Sequence, residues 1–408
     1  MGAKVVLDPV TRIEGHLAVK LETSDHKVVK AYCSGEMFRG FEAILAGRSP
    51  LDAQQITQRI CGVCPISHGL ASCLAQDEAY GLQPPDNGRI ARNLILGANY
   101  IQSHILHFYQ LAALDFVDIT ALLSYSGSDP ALTSLKAWVQ SQLKSSSIIP
   151  AAPFLPRYEG RYLENAEVNI SAVNHYLMAL DMRSLAHEAL ALFGAKAPHC
   201  AALVPGGITQ IITANNIAAY AEIIDRLRTF IDTVYLADVV AVAQAFPEYL
   251  SMGVGCGDFL SYGVFAESDG SKFLPAGRVQ NGRPAEFDPA KIYEDTKFSM
   301  FSSPSGLHPT QGRTQPQPEK DGAYSWLKAP RYQGRPQEVG PLARLIVAYH
   351  AGHAQTKGLI DGLLTKLGLQ LKDLNSPLGR HAARALECKM VADQCALWVE
   401  QLKPGQPV

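Results

Sequence analysis

Between Asn87 and about Leu123 apolar residues recur on nearly every side of a helical period: Ile90, Leu94, Ile95, Leu96, Ile101, Ile105, Leu106, Phe108, Leu111 and Leu114. A helix apolar all round belongs inside a bundle, so this stretch predicts a long central helix. Residues 166–192 predict a second, with Val168, Ala172, Leu177, Leu180, Leu185 and Leu190 inward, and Asn215 or Asn216 caps a third that runs to about Phe246. Shorter helices are expected at 66–80, stopped by Gly81, and at 131–144, 338–352, 358–367 and 379–402. Two helical pieces fall within 36–58, the second opened by a capping Ser49 and Pro50. The first thirty residues follow a different period. His16–Glu22 alternates, Ser24–Lys27 turns and Val28–Tyr32 returns, a β-hairpin or meander over 4–32. Residues 145–156 form a Ser/Pro-rich connector. Residues 247–336 turn to Gly, Pro, Ser and aromatics, with strand-like pieces at 262–266 and 323–327. The expected fold is therefore α+β and predominantly helical: a central bundle of long helices, an N-terminal β-meander and an irregular α+β segment. We read 1–408 as one domain, with a β/short-helix part (1–60), a helical core (61–246), the irregular segment (247–336) and C-terminal helices (337–408).

Composition narrows the partners. Charged residues make up only 18% of the 408, and mean hydropathy is +0.00, so much of the chain is expected to be buried in its own core or against another subunit. A formal net charge of −2 gives no basic footprint for nucleic acid and no polybasic membrane patch. No apolar run reaches membrane-spanning length and no signal peptide is visible. Eight cysteines are too sparse for a disulfide scaffold.

One pair of them changes the picture. Cys61-Gly62-Val63-Cys64 can turn two sulfurs to one point, with Arg59 before it and His68 four residues after its second cysteine. A neighbouring cation favours the thiolate, and thiolates select soft or borderline metals such as nickel, iron, zinc or copper. Arg59 is expected to be that cation. His104 and His107, one helical turn apart, read as hydrogen-bonded core histidines rather than a metal pair. From residue type alone Glu14 reads as a solvated strand-edge carboxylate.

Taken together, the motifs resemble the large, catalytic subunit of nickel–iron hydrogenases. Arg12-Ile13-Glu14-Gly15-His16, Phe38-Arg39-Gly40-Phe41-Glu42, the Arg59–His68 stretch, His104–Tyr109, Phe193–Lys196, Lys328–Tyr332 and Glu338–Arg344 follow that family's landmarks in order along essentially the whole chain. A lone Cys-x-x-Cys would be weak; seven ordered landmarks are not.

The resemblance implies a nickel–iron centre with carbon monoxide and cyanide on the iron, held by four cysteines. Cys61 would be a terminal nickel ligand and Cys64 a bridging one. Glu14 would relay protons, which replaces the strand-edge reading. Arg331, with Pro330 before it, would lie over the open metal site, and His68 would hydrogen-bond near the bridging cysteine. Glu42 would ligate a separate Mg2+ or Fe2+. The reaction would be reversible heterolytic cleavage of H2, with electrons passed to an iron–sulfur small subunit, since this chain has no cluster pattern of its own. The same resemblance implies a maturation protease, nickel-insertion factors, a membrane cytochrome b as electron acceptor, and a periplasmic or membrane-facing location reached by export with the small subunit; a cytoplasmic location is the alternative.

Two departures stand out. Ser103 occupies a position where several family members carry an aspartate. The family's second pair, D-P-C-x-x-C, is absent, and Cys388 and Cys395 read as buried or interfacial thiols seven residues apart. The expectation is a C-terminally incomplete large subunit, inactive by itself. Competing readings are a hydrogen-sensing regulatory subunit, the quinone-site subunit of respiratory complex I (which lacks the metal cysteines) and a structural zinc site.

Overall fold

The computed structural model describes residues 3–144, 154–155, 159–302 and 304–408; apart from Phe154 and Leu155, the expected connector at 145–156 lies outside them. The chain opens with a three-stranded antiparallel meander of β1 (Ala3–Leu7), β2 (Leu17–Ser24) and β3 (Lys27–Gly35). Two short helices follow, α1 (Phe41–Leu45) and α2 (Pro50–Thr57). Ser49 stands at the N-cap of α2, but its side chain makes no capping hydrogen bond. Next come α3 (Pro65–Tyr80), ended by Gly81 at φ 67°, and α4 (Asp86–Leu106).

The central helix is shorter than its apolar pattern suggested. After Leu106 the backbone widens to a π-helical stretch, His107–Ala112, then tightens to 3-10 turns at Ala113–Asp115 and Ile119–Ser124. Apolar periodicity reports burial and cannot tell an α-turn from a π-turn. The helices α5 (Pro130–Lys144) and α6 (Ala166–Gly194) follow. The inward face of α6 is displaced from the expected one. Val168 and Leu180 are exposed, while Val173, Ala179, Ala186, Ala189 and Phe193 are buried with Leu185 and Leu190. Small alanines let α6 approach α4 closely, so the buried stripe is not the bulkiest one.

A short hairpin, β4 (Leu203–Val204) with β5 (Gly207–Ile208), turns through Pro205 and Gly206. Helix α7 (Ala214–Phe230) is capped by Thr213, whose side chain accepts from the Asn216 N–H; neither Asn215 nor Asn216 is the cap. A second π stretch, Ile231–Tyr235, joins α7 to α8 (Leu236–Ala245). The two π stretches pack together, with Tyr109 and Tyr235 ring centroids 5.7 Å apart.

Beyond α8 lie small antiparallel sheets: β6 (Phe259–Ala266), β7 (Lys272–Gln280) and β8 (Arg283–Ala285), then β9 (Ile292–Asp295) with β10 (Ala329–Tyr332). Residues 323–327, expected as a strand, form only an isolated bridge, Ser325 to Ser299. The chain finishes with α9 (Pro341–His350), α10 (Ala354–Leu367) and α11 (Pro377–Val399). The fold is mostly helical α+β. α4 runs through its middle, packed against α6 and α11. The approach of α11 is close: a Cβ at Gly97 would overlap Cys395 Sγ.

Candidate functional site

The Cys61–Cys64 loop is placed by what flanks it. Gln58–Ile60 ends the α2 segment in a 3-10 turn, and Cys64 is the N-cap of α3, with Pro65 at the first helical position. One helical turn separates Cys64 from His68, and Cys64 Sγ lies 3.6 Å from His68 Nε2. Sγ of Cys61 accepts the N–H groups of Cys64 at 3.1 Å and Val63 at 3.4 Å. Side chains of α4 fix the loop: Asn99 Nδ2 and Gln102 Nε2 donate to the Val63 carbonyl at 3.2 and 3.1 Å. From α6, Arg183 Nε donates to Gln102 Oε1 at 3.3 Å and orients that amide.

Electrostatics show what the pair requires. Burial, the contact with Cys61 and the Glu14 carboxylate together push the Cys64 thiol up to about 12. A Cys64 thiol raised this far becomes a thiolate only against a bound cation. Burial pushes His68 below the usual imidazole range, leaving a neutral ring beside the sulfur. Arg59 does not supply the expected cation. It is exposed, and its charge falls on His199, which it helps to push down after burial.

Glu14 reaches the site on the loop between β1 and β2. Arg12 pins that loop to the segment after α4, donating to the Leu111 carbonyl in the π-helical stretch at 2.8 Å and pairing with Asp115. Glu14 itself is exposed in this chain. Arg331 is placed differently. It lies on β10 opposite Tyr293 and donates to the Pro330 carbonyl at 2.9 Å. Its charge helps hold Asp295 below the usual carboxylate range, after the bonds from Ser305 and Lys297.

Cys64 opens onto a cavity of about 280 Å³ whose wall includes Ser67, Ser103, His104, Arg344 and Arg384. Neither Arg331 nor Pro330 is on that wall. Behind it stands a buried network that sequence reasoning missed. Arg344 donates twice to Glu387, at 2.6 and 2.7 Å, and His104 Nε2 lies 2.8 Å from the same carboxylate. Burial by itself would raise the Glu387 pKa; the Arg344 guanidinium and the His104 contact outweigh it and hold the carboxyl at about 2. His104 is thus a hydrogen-bonded core histidine, as expected, whereas His107 leaves Nδ1 without a partner among the described residues. The signal available in the sequence was a glutamate on the apolar face of α11; the fold is what brings Arg344 to it.

Glu42 stands apart from the thiols, at a cavity of about 530 Å³. Lys328 Nζ lies between Glu42 and Glu294, at 3.1 and 3.3 Å, and donates to Thr314 Oγ1 at 2.8 Å. An ammonium held between two carboxylates marks a place that suits a cation, and Glu294 is a second oxygen donor that strand alternation did not reveal. Among the described residues no three His, Cys, Asp or Glu side chains gather closely enough to hold a metal ion by themselves. Cys388 and Cys395 are buried and free, whereas Cys33 and Cys256 are exposed.

Residues 39–407 match the nickel-dependent hydrogenase family, and residues 4–32 the HoxL-like family. The chain is 41% identical to the periplasmic NiFeSe hydrogenase large subunit of Desulfomicrobium baculatum, over 98% of this chain and 76% of that one. It is 36% identical to the uptake hydrogenase large subunit of Rhizobium leguminosarum bv. viciae, over 98% and 77%. Among solved structures, the Ni-Fe-Se hydrogenase of Desulfovibrio vulgaris Hildenborough in its reduced state superposes with a TM-score of 0.85 at 38% identity, covering 100% of this chain and 81% of that one. The chain belongs to the large subunits of nickel-dependent hydrogenases.

Proposed function

We propose that this subunit cleaves H2 heterolytically and reversibly, with Cys61 and Cys64 as two of the thiolates that hold a nickel–iron centre. The observation that carries the reading is the loop that sets the buried Cys61 beside the half-buried Cys64, with His68 Nε2 3.6 Å from Cys64 Sγ and the Cys64 thiol raised until a cation binds. The donor set fits a soft metal: two thiols, one of them receiving two backbone N–H groups. When bound, the centre, with carbon monoxide and cyanide on its iron, supplies the Lewis acid and the electron acceptor for H2.

The chain's own residues do the rest. Cys64 Sγ receives a proton, and Glu14, whose carboxylate bears on that thiol, carries it on. His68, neutral beside Cys64 Sγ, orients the sulfur. Arg331 and Pro330 lie on β10, which would cover the centre, and Glu42 would give an oxygen to Mg2+ or Fe2+ in exchange for Lys328. The 408 residues contain a single Cys-x-x-Cys, so they supply two thiolates of the set and not four, and this polypeptide by itself is expected to be inactive. Electrons leave to an iron–sulfur small subunit, and the pair works on the periplasmic side, as the name of the Desulfomicrobium relative states for that protein.

The test is H2-dependent reduction of benzyl viologen by the assembled protein. Sustained turnover that falls at least tenfold in Glu14→Gln supports the reading. Binding of H2 without turnover would favour a sensor, and zinc in place of nickel with no response to H2 would overturn it.

A further inference from the structure

The cavity beside Cys64 carries an unbalanced charge. Its wall holds two guanidinium groups, Arg344 and Arg384, and no carboxylate among the described residues. Arg344 is matched by the bidentate pair with Glu387 behind the wall. That carboxylate is fully committed, because His104 takes the same Oε2. It reaches Arg384 only as a charge at a distance, so one carboxylate faces two guanidiniums. Arg380, one turn before Arg384, is matched by Glu338 at 2.7 and 2.8 Å. Arg384 has no such partner among the described residues. Its hydrogen bond there runs from Nη1 to the Arg380 carbonyl at 3.3 Å, which leaves the Nε and Nη2 donors of its fork unused.

The surroundings do not offset that charge. His104 and His107 share the wall, and His381 lies near His107 with ring centroids 5.7 Å apart. Burial and then the Arg384 charge push both His107 and His381 down, to about 3 and about 4, so these rings are neutral at physiological pH. Burial also lowers Arg384 itself, the direction expected for a cation removed from water without a full counter-charge. Ser67 and Ser103 add two hydroxyl groups to the same wall.

Arg384 is half-buried in the cavity wall, and a partly desolvated guanidinium without a carboxylate partner gains from uptake of an anion. A guanidinium fork matches a planar oxyanion best. The space of about 280 Å³ exceeds the ~30 Å³ share of one water, and so admits a small anion with some of its hydration. We propose that this cavity binds a free, small carboxylate-class monoanion such as formate, acetate or bicarbonate, held by the unused edge of Arg384.

The test is titration of the 408-residue chain with 13C-formate, read as broadening of the formate resonance. The wild type should show saturable broadening with half-saturation in the millimolar range. Arg384→Gln should weaken binding at least tenfold by removing the cation. Ser103→Asp should weaken it as strongly, because it builds a carboxylate into the wall, and should raise the Tm at neutral pH. Absence of saturable broadening in the wild type up to about 100 mM overturns the proposal, as does equal broadening in Arg384→Gln. If that variant does not fold, Ser103→Asp decides: undiminished formate binding there contradicts the assignment.

Discussion

Gln102 Nε2 donates to the carbonyl of Val63 at 3.1 Å, so an amide of the central helix grips the peptide between Cys61 and Cys64. With Asn99 on the same carbonyl, the thiol loop is held by α4 and not by its own turn alone. Gln102→Ala should cost roughly 2 kcal/mol of stability, because it removes both the bond to Val63 and the one from Arg183. Support behind metal ligands typically changes metal affinity by ~10–100-fold. Nickel retained by the assembled enzyme after dialysis against a chelator should therefore fall in Gln102→Ala. Unchanged retention would show that the loop is rigid without this contact.

The Arg344–Glu387–His104 network predicts a larger effect. Glu387→Gln removes the counter-charge of a buried guanidinium, which typically costs ~3–5 kcal/mol. Urea unfolding should show it as a fall in midpoint with an unchanged slope. A loss below about 1 kcal/mol, the usual worth of an exposed pair, would mean that water reaches Arg344.

The histidines set the acid limit of stability. His107 and His381 are lowered to about 3 and about 4, by burial first and then by the Arg384 charge. Between those values and about 6.5 the unfolded chain binds protons that the folded chain does not, so stability falls as pH drops through this window. Glu387, lowered to about 2 from an ordinary value of 4.5, adds stability that is complete above the ordinary value and is lost as pH falls towards the folded one. Urea midpoints measured between neutral pH and the folded value of His381 should decline steadily. The decline should be shallower in His381→Phe; an identical slope would show that His381 does not contribute.

Gly97 marks a tight contact between α4 and α11. A methyl group there would overlap Cys395 Sγ, so Gly97→Ala should lose roughly 1–3 kcal/mol through overpacking. Adding Cys395→Ala should recover part of the loss, and a double-mutant cycle with no coupling would contradict the contact.

The legible parts of the sequence were those written in local pattern. The meander over 4–32 followed from alternation, and α3 from its stop at Gly81. The Cys61–Cys64–His68 cluster was readable because a loop, an N-cap and one helical turn are all local. Glu14 reaches Cys64 from a different element, and only the family resemblance pointed to it. Four features escaped. The π stretch after Leu106 keeps the apolar pattern of an α-helix. The inward stripe of α6 follows alanines, which hydrophobic ranking undervalues. Arg59 lay near the thiols in sequence but turned outward. Glu387 meets Arg344 across two helices, a contact with no sequence spacing to announce it.

If Cys61 and Cys64 hold the metal, substituting them must empty the site. The most direct measurement is the nickel and iron content of the assembled hydrogenase carrying Cys61→Ser or Cys64→Ser, with Cys388→Ser as a control for a buried thiol. Nickel should be lost with either loop substitution and retained in the control. Stoichiometric nickel in a Cys61→Ser/Cys64→Ser double variant would contradict the assignment.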